Sequence, residues 1–78
     1  MKLYETSDMC LAVSLTLSGY PVISIRPVND KRSLFVLEDS DDLQKTVGEY
    51  HAKKLAFEPT EFFYAMRSLK ARIYERRY

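Results

Sequence analysis

The first third of the chain contains an apolar run with the boundaries of an α-helix. Thr6-Ser7-Asp8 precedes the run, and its side-chain oxygens are suited to accept hydrogen bonds from the unpaired amides of a first helical turn. Gly19 ends the run, because glycine adopts the left-handed conformation after a helix without penalty, and Pro21 prevents a restart. The pattern predicts a helix over about residues 7–18.

This predicted helix is apolar on two sides. Leu11 and Leu15 lie on one side, and the helical periodicity places a second apolar set almost opposite: Met9, Val13 and Leu17. A helix with two apolar sides is normally buried on both. We expect one side to pack against the chain's own sheet, and the side with Leu11 and Leu15 to contact another helix or another molecule.

Two short runs rich in β-branched and aromatic residues follow, and both are typical of strands. Pro21 and Pro27 bracket the first run, and a turn-forming segment, residues 27–32, separates the two. We predict strands over about residues 22–26 and 33–37, joined as an antiparallel hairpin. A sheet of only two strands is marginal, so helices or a second copy must cover it.

Two further helices are predicted in the second half of the chain. Ser40 or Asp39 is suited to cap a helix over about residues 40–52, and Asp41 and Asp42 favour its first turn. Pro59 suits the first turn of a helix over about residues 59–76. The last helix carries apolar residues at i, i+4, i+7 and i+11, a spacing that predicts a buried stripe: Phe62, Met66, Leu69 and Ile73.

These elements predict an α+β fold: a two-stranded antiparallel hairpin packed with three helices, in the order α-β-β-α-α. The 78 residues form a single small domain, residues 1–78, and a composition of 46% hydrophobic and 29% charged residues rules out intrinsic disorder. No apolar run approaches the ~20 residues of a membrane span. Glu5 and Asp8 near the start are unlike a signal peptide, so we expect a cytoplasmic domain without a membrane partner.

The charges are unevenly distributed although the formal net charge is only +1. Residues 31–52 carry three cations against five anions, or −2, whereas residues 53–78 carry seven cations against three anions, or +4. The acidic middle and the basic end are therefore complementary, either within one chain or between two chains.

The third predicted helix has a basic and aromatic face beside its buried stripe. Five residues lie within about 80° of one another on the helical wheel: Phe63, Arg67, Lys70, Tyr74 and Arg77. Three interpretations of this face stay open. The cations are suited to cover core edges with their stems, the face is suited to a protein interface, and the rings and cations are suited to single-stranded nucleic acid.

Catalytic, metal and cofactor chemistry has little support in the sequence. Cys10 and His51 are the only residues of their kinds, so a disulfide within the chain is impossible and a structural zinc site lacks ligands. Helix capping explains the acidic segment of residues 38–42 without a metal. No nucleophile elbow or phosphate-binding glycine loop occurs, so we expect no enzyme and no cofactor.

Three separated segments together resemble a known family. They are Tyr4-Glu5-Thr6-Ser7-Asp8-Met9, Phe35-Val36-Leu37-Glu38-Asp39 and Leu69-Lys70-Ala71-Arg72-Ile73-Tyr74. Their counterparts Tyr-x-Thr-Ser-Asp-Leu, Phe-x-Phe-Glu-Asp and Leu-Lys-Ser-Arg-Ile-Tyr are typical of a small family of bacterial and phage proteins, the domain of unknown function DUF5659. Three positions depart mildly from those motifs: Met9, Leu37 and Ala71. The resemblance implies a compact microbial domain and no activity or site residue.

Two hypotheses for the function follow. The first is a non-enzymatic interaction module that binds itself as a homodimer, or binds another protein. Its interface would draw on both predicted faces: Leu11, Leu15, Phe63, Arg67, Lys70, Tyr74 and Arg77. The alternative is a nucleic-acid-binding accessory protein that uses the basic and aromatic face of the last helix.

Overall fold

The computed structural model describes residues 1–75, which form three strands and three helices. The elements are β1 (Leu3–Thr6), α1 (Met9–Leu17), β2 (Val22–Pro27), β3 (Ser33–Glu38), α2 (Asp41–His51) and α3 (Pro59–Glu75). The α+β class is confirmed. The predicted two-stranded sheet and the predicted element order are wrong, because an additional strand precedes the first helix.

The additional strand, β1, lies at the edge of an antiparallel sheet with the order β1-β3-β2. Tyr4 pairs with Leu37 and Thr6 pairs with Phe35, so the N-terminal residues add a third strand on the free side of the hairpin. Alternate residues of β1 are exposed and half-buried, as expected for an edge strand with one covered face. The sheet therefore gains a strand without a second copy of the chain.

The register of the β2–β3 pairing shifts once, so the side chains of β2 do not alternate regularly between the two faces of the sheet. Val22 pairs with Leu37 and Ser24 pairs with Val36, so Ile23 is an extra residue in β2. One face is apolar and joins the hydrophobic core through four buried side chains: Val22, Ile25, Phe35 and Leu37. The helices pack on this inner face, and the outer face carries the alternate residues.

Helix α1 is buried by its own chain, which overturns the interface predicted at Leu11 and Leu15. Leu11 is 3% exposed and Leu15 is fully buried, and both belong to the single core cluster that includes the sheet. Helices α2 and α3 both contact α1 and cover it within the same chain. Leu11 and Leu15 are therefore core residues and not the interface predicted for them.

Each helix begins at a side-chain oxygen that accepts a backbone amide. Asp8 accepts from Leu11 at 3.2 Å and begins α1, and Ser40 accepts from Leu43 at 3.0 Å and begins α2. The Glu58 carboxylate accepts the Glu61 amide at 2.8 Å at the start of α3. These bonds satisfy amides that have no partner within the helix and fix where each helix starts.

The Glu58 cap makes the stability of α3 dependent on pH. Its bonds with the amides of Glu61 and then Thr60 lower the pKa of Glu58 below the ordinary value of 4.5. A lowered folded-state pKa means that the cap stabilises fully above the ordinary value, and that this contribution is lost as pH falls through the folded value. We expect Glu58→Gln to lower the melting temperature at about pH 7 and to have no effect at about pH 2.

Thermal unfolding followed by circular dichroism at the two pH values checks this expectation. Glu38→Gln is the matched control, because Glu38 is an exposed carboxylate at the end of β3 and caps no helix. An equal loss from Glu58→Gln at both pH values would show that the carboxylate charge plays no part in the cap.

Candidate functional site

Helix α3 separates its apolar residues from a stripe of exposed rings and cations. One side packs against the core through Phe62, Ala65, Met66, Leu69 and Ile73. We name the exposed set the α3 stripe: Phe63, Arg67, Lys70 and Tyr74. Phe63 is 56% exposed and Tyr74 is 59% exposed, so both rings are available to a partner. Arg77, which was predicted to extend this face, lies outside the described residues.

A cation–π contact organises the first half of the α3 stripe. The guanidinium carbon of Arg67 lies 5.8 Å from the centre of the Phe63 ring, within the range in which the ring attracts a cation. Both side chains are exposed, so the contact lies at the surface of the helix. The contact leaves the guanidinium beside an exposed ring, where it can reach a negatively charged group of a partner.

The second half of the α3 stripe borders a cleft of about 470 Å³, which we name the loop cleft. Lys31 and Arg32, in the β2–β3 loop, line the cleft opposite Lys70 of α3. The remaining lining residues are Ser7, Met9, Asp30, Ser33, Phe35, Ile73 and Tyr74. The fold thus brings two cations from a distant turn next to the basic helix face.

The loop that carries these cations is held by its own hydrogen bonds. The Val28 amide donates to the Arg32 carbonyl at 2.9 Å, which closes the loop at its base. The Lys31 amide donates to the Asn29 side-chain oxygen at 2.8 Å, an arrangement typical of asparagine in turns. Lys31 and Arg32 are therefore presented by an ordered turn.

The two ends of the sheet carry opposite charges. Lys31 and Arg32 lie at the end where β3 begins, whereas Glu38, Asp41 and Asp42 lie where β3 ends and α2 starts. The α3 stripe reaches the basic end through Lys70, which lines the loop cleft. A net charge of +1 therefore conceals a local concentration of cations at this end of the sheet, beside the carboxylate of Asp30.

The sole cysteine and the sole histidine line a second groove, which measures about 450 Å³. It lies between α1, α2 and the start of α3, and Cys10, His51 and Phe62 are among its lining residues. Burial, Asp8 and Cys10 raise the pKa of Tyr50, whose hydroxyl donates to the Asp8 carboxylate at 3.4 Å. Among residues 1–75 no hydrogen bond joins Cys10 to His51, although both residues line the groove.

The outer face of the sheet is partly covered by an ion pair. Arg26 of β2 and Glu5 of β1 pair across the central strand, and Val36 between them is only 3% exposed. Leu3 and Ile23 stay 54% and 48% exposed. This face therefore presents a small apolar surface beside a neutral pair of charges.

Residues 1–75 contain neither a cluster of metal-ligating side chains nor a membrane-spanning helix. No group of three or more His, Cys, Asp or Glu side chains in this range is placed to hold a metal ion. None of the three helices in the same range combines the length and apolarity needed to cross a bilayer. The α3 stripe and the loop cleft therefore offer cations, hydroxyls and rings as their means of recognition.

Comparison with known proteins identifies the family of the chain. No curated protein and no solved structure matches it. A family model described as "Domain of unknown function (DUF5659)" matches residues 1–75, which is nearly the whole sequence. The resemblance noted from three separated segments is confirmed at the level of the family. The chain belongs to the DUF5659 family.

Proposed function

We propose that this domain is a non-enzymatic binding module that takes single-stranded nucleic acid along the α3 stripe. The observation that supports the proposal is the joint exposure of rings and cations on one side of one helix. Phe63 and Tyr74 stand at the two ends of the stripe, and Arg67 and Lys70 lie between them. Single-strand binding surfaces combine these two kinds of side chain, since rings stack with bases and cations contact phosphates.

The length of the stripe suits a short stretch of an extended strand. Phe63 and Tyr74 are eleven positions apart, which corresponds to about 16 Å along a helix that rises ~1.5 Å per residue. Bases stacked on the two rings would leave their linking phosphates near the cations between them. Stacking on an aromatic ring contributes about 1–3 kcal/mol per base and tolerates any base, so the binding would be independent of sequence.

The charge of the stripe favours an anionic partner over a second copy of the same stripe. A two-fold symmetric contact places a surface patch against itself. Such a contact would bring Arg67 and Lys70 against the same cations of the other chain, and like charges at an interface are destabilising. The apolar side of α1 that favoured self-association is buried, so that argument for a homodimer no longer applies.

The test is fluorescence anisotropy with a labelled oligonucleotide of roughly ten thymidines at about 50 mM salt. We expect Arg67→Ala with Lys70→Ala to weaken binding about tenfold. The slope of the logarithm of affinity against the logarithm of salt concentration, which we call the salt slope, should fall by about 1.4, since each lost phosphate contact contributes about 0.7. The matched control is Lys45→Ala with Lys54→Ala, which removes the same charge from exposed positions outside the stripe.

Two results would overturn the proposal. One is the absence of binding by the unaltered protein at low salt. The other is an equal loss of affinity in the control pair, which would show that the net charge acts alone and that the stripe has no special role. Far-ultraviolet circular dichroism of both pairs verifies that the fold is retained.

A second candidate function is self-association through the outer face of the sheet. Leu3 and Ile23 are exposed there, and the same face carries Arg26 toward its basic end and Glu38 at its acidic end. Two copies packed face to face would bury Leu3 and Ile23 of both copies beside the Arg26–Glu5 ion pair of each. Sedimentation would then show a species larger than 9.1 kDa that Ile23→Lys dissociates. The control Val28→Lys, which alters an exposed apolar residue in the β2–β3 loop, would leave that species unchanged.

A further inference from the structure

We infer that the loop cleft is a pocket for the terminal phosphate of a nucleic-acid strand bound along the α3 stripe. The inference rests on the proposed function and adds to it a recognition of strand ends. The cleft lies at the Tyr74 end of the stripe, so a strand that follows the helix reaches it directly.

The charge of the loop cleft matches a terminal phosphate better than an internal one. Lys31, Arg32 and Lys70 bring three cations, and Asp30 brings one carboxylate, which leaves an excess of two positive charges. A phosphate monoester carries about −1.5 to −2 at neutral pH, whereas each phosphate within a strand carries a single charge. The excess positive charge of the cleft is therefore close to the amount that neutralises a phosphate monoester.

The cleft also provides hydrogen-bond donors and an apolar floor. Ser7 and Ser33 are among its lining residues, and a serine hydroxyl can donate to phosphate oxygens, as an arginine can through two parallel N–H groups. Met9, Phe35 and Ile73 form an apolar part of the lining. A sugar or a base edge attached to the bound phosphate would rest on these side chains, and the exposed Tyr74 ring at the rim can stack on the terminal base.

The experiment measures the affinity of the unaltered protein for three labelled thymidine oligonucleotides by anisotropy. Two are of equal length, one with a 5′-phosphate and one with a 3′-phosphate. The third has hydroxyl groups at both ends and is one nucleotide longer, so that the number of phosphates is the same. We expect one of the phosphorylated strands to bind at least about fivefold more tightly than the longer strand, because a charge-assisted pair is roughly twice as strong as a neutral one.

Substitutions distinguish the contribution of the loop cleft to binding from that of the α3 stripe. Lys31→Ala with Arg32→Ala is expected to abolish the preference for the phosphorylated end while the strand with two hydroxyl ends still binds. Arg67→Ala is expected to weaken all three strands by the same factor. Equal affinity for the three strands would overturn the inference and leave the proposed function intact, whereas no binding of any strand would overturn both.

Discussion

Replacing Leu15 by alanine is expected to lower the free energy of unfolding by about 3 kcal/mol. Leu15 is fully buried in the core cluster, between the sheet and the helices that flank α1. Truncation removes apolar contacts and leaves a cavity that the surrounding side chains fill only in part. Urea unfolding followed by circular dichroism measures the loss as a lower midpoint with an unchanged slope.

The control for this prediction is the same substitution at an exposed leucine. Leu3 is 54% exposed on the outer face of the sheet, and Leu3→Ala is expected to cost less than about 1 kcal/mol. The unfolding midpoint of Leu15→Ala should also be independent of protein concentration, because the residue is covered within one chain. A midpoint that rises with concentration in the unaltered protein and loses that dependence in Leu15→Ala would place Leu15 at an interface.

Removing both rings of the α3 stripe is expected to weaken binding of single-stranded nucleic acid by a factor of about thirty. Phe63→Ala with Tyr74→Ala deletes both stacking surfaces, and a loss of about 1 kcal/mol at each, the lower end of the usual range, amounts to that factor. The fold should be unaffected, because both rings are more than half exposed. Anisotropy titration at fixed salt measures the change, and the salt slope should stay constant since no cation is lost.

Tyr64 provides the matched control for the ring deletions. It is 59% exposed on the same helix, about 100° around the axis from Phe63, and it lies outside the stripe although its ring centre is 6.1 Å from that of Phe63. Tyr64→Ala is expected to leave the affinity unchanged, and Phe63→Tyr is expected to retain it because the ring remains. If Tyr64→Ala weakened binding as much as Phe63→Ala, the stripe would be the wrong description of the surface.

The missing strand shows where the sequence pattern was insufficient. Leu3–Thr6 has the alternation of a strand, but it is four residues long and its partner, β3, begins more than twenty residues later. Short alternations are common in loops, and only pairing with a distant strand distinguishes them. The capping residues that follow the strand predict the start of α1 and carry no signal for the strand itself.

The way α1 is buried also depends on contacts between distant parts of the chain, which local sequence does not reveal. The two apolar sides were evident from the spacing of Met9 and Val13 against Leu11 and Leu15. Periodicity shows that a helix will be covered on both sides, but it does not show which molecule covers it. The additional strand and the positions of α2 and α3 decided that the cover comes from the same chain.

The candidate site was predictable only in the part that lies on one helix. The stripe from Phe63 to Tyr74 follows from helical spacing, which is a local property of the sequence. Lys31 and Arg32 were recognised as turn residues, and nothing in their neighbourhood linked them to a helix about forty positions away. The adjacent cations in a short, polar loop were the one available signal that this turn adds to a basic surface.

The central claim is that the α3 stripe contacts single-stranded nucleic acid, and nuclear magnetic resonance tests it most directly. Uniformly ¹⁵N-labelled protein would be titrated with an unlabelled thymidine oligonucleotide, and the amide shifts of each residue followed. We expect the largest shifts at Phe63, Arg67, Lys70 and Tyr74, with smaller ones at Lys31 and Arg32. Shifts confined to the outer face of the sheet, or none at saturating oligonucleotide, would contradict it.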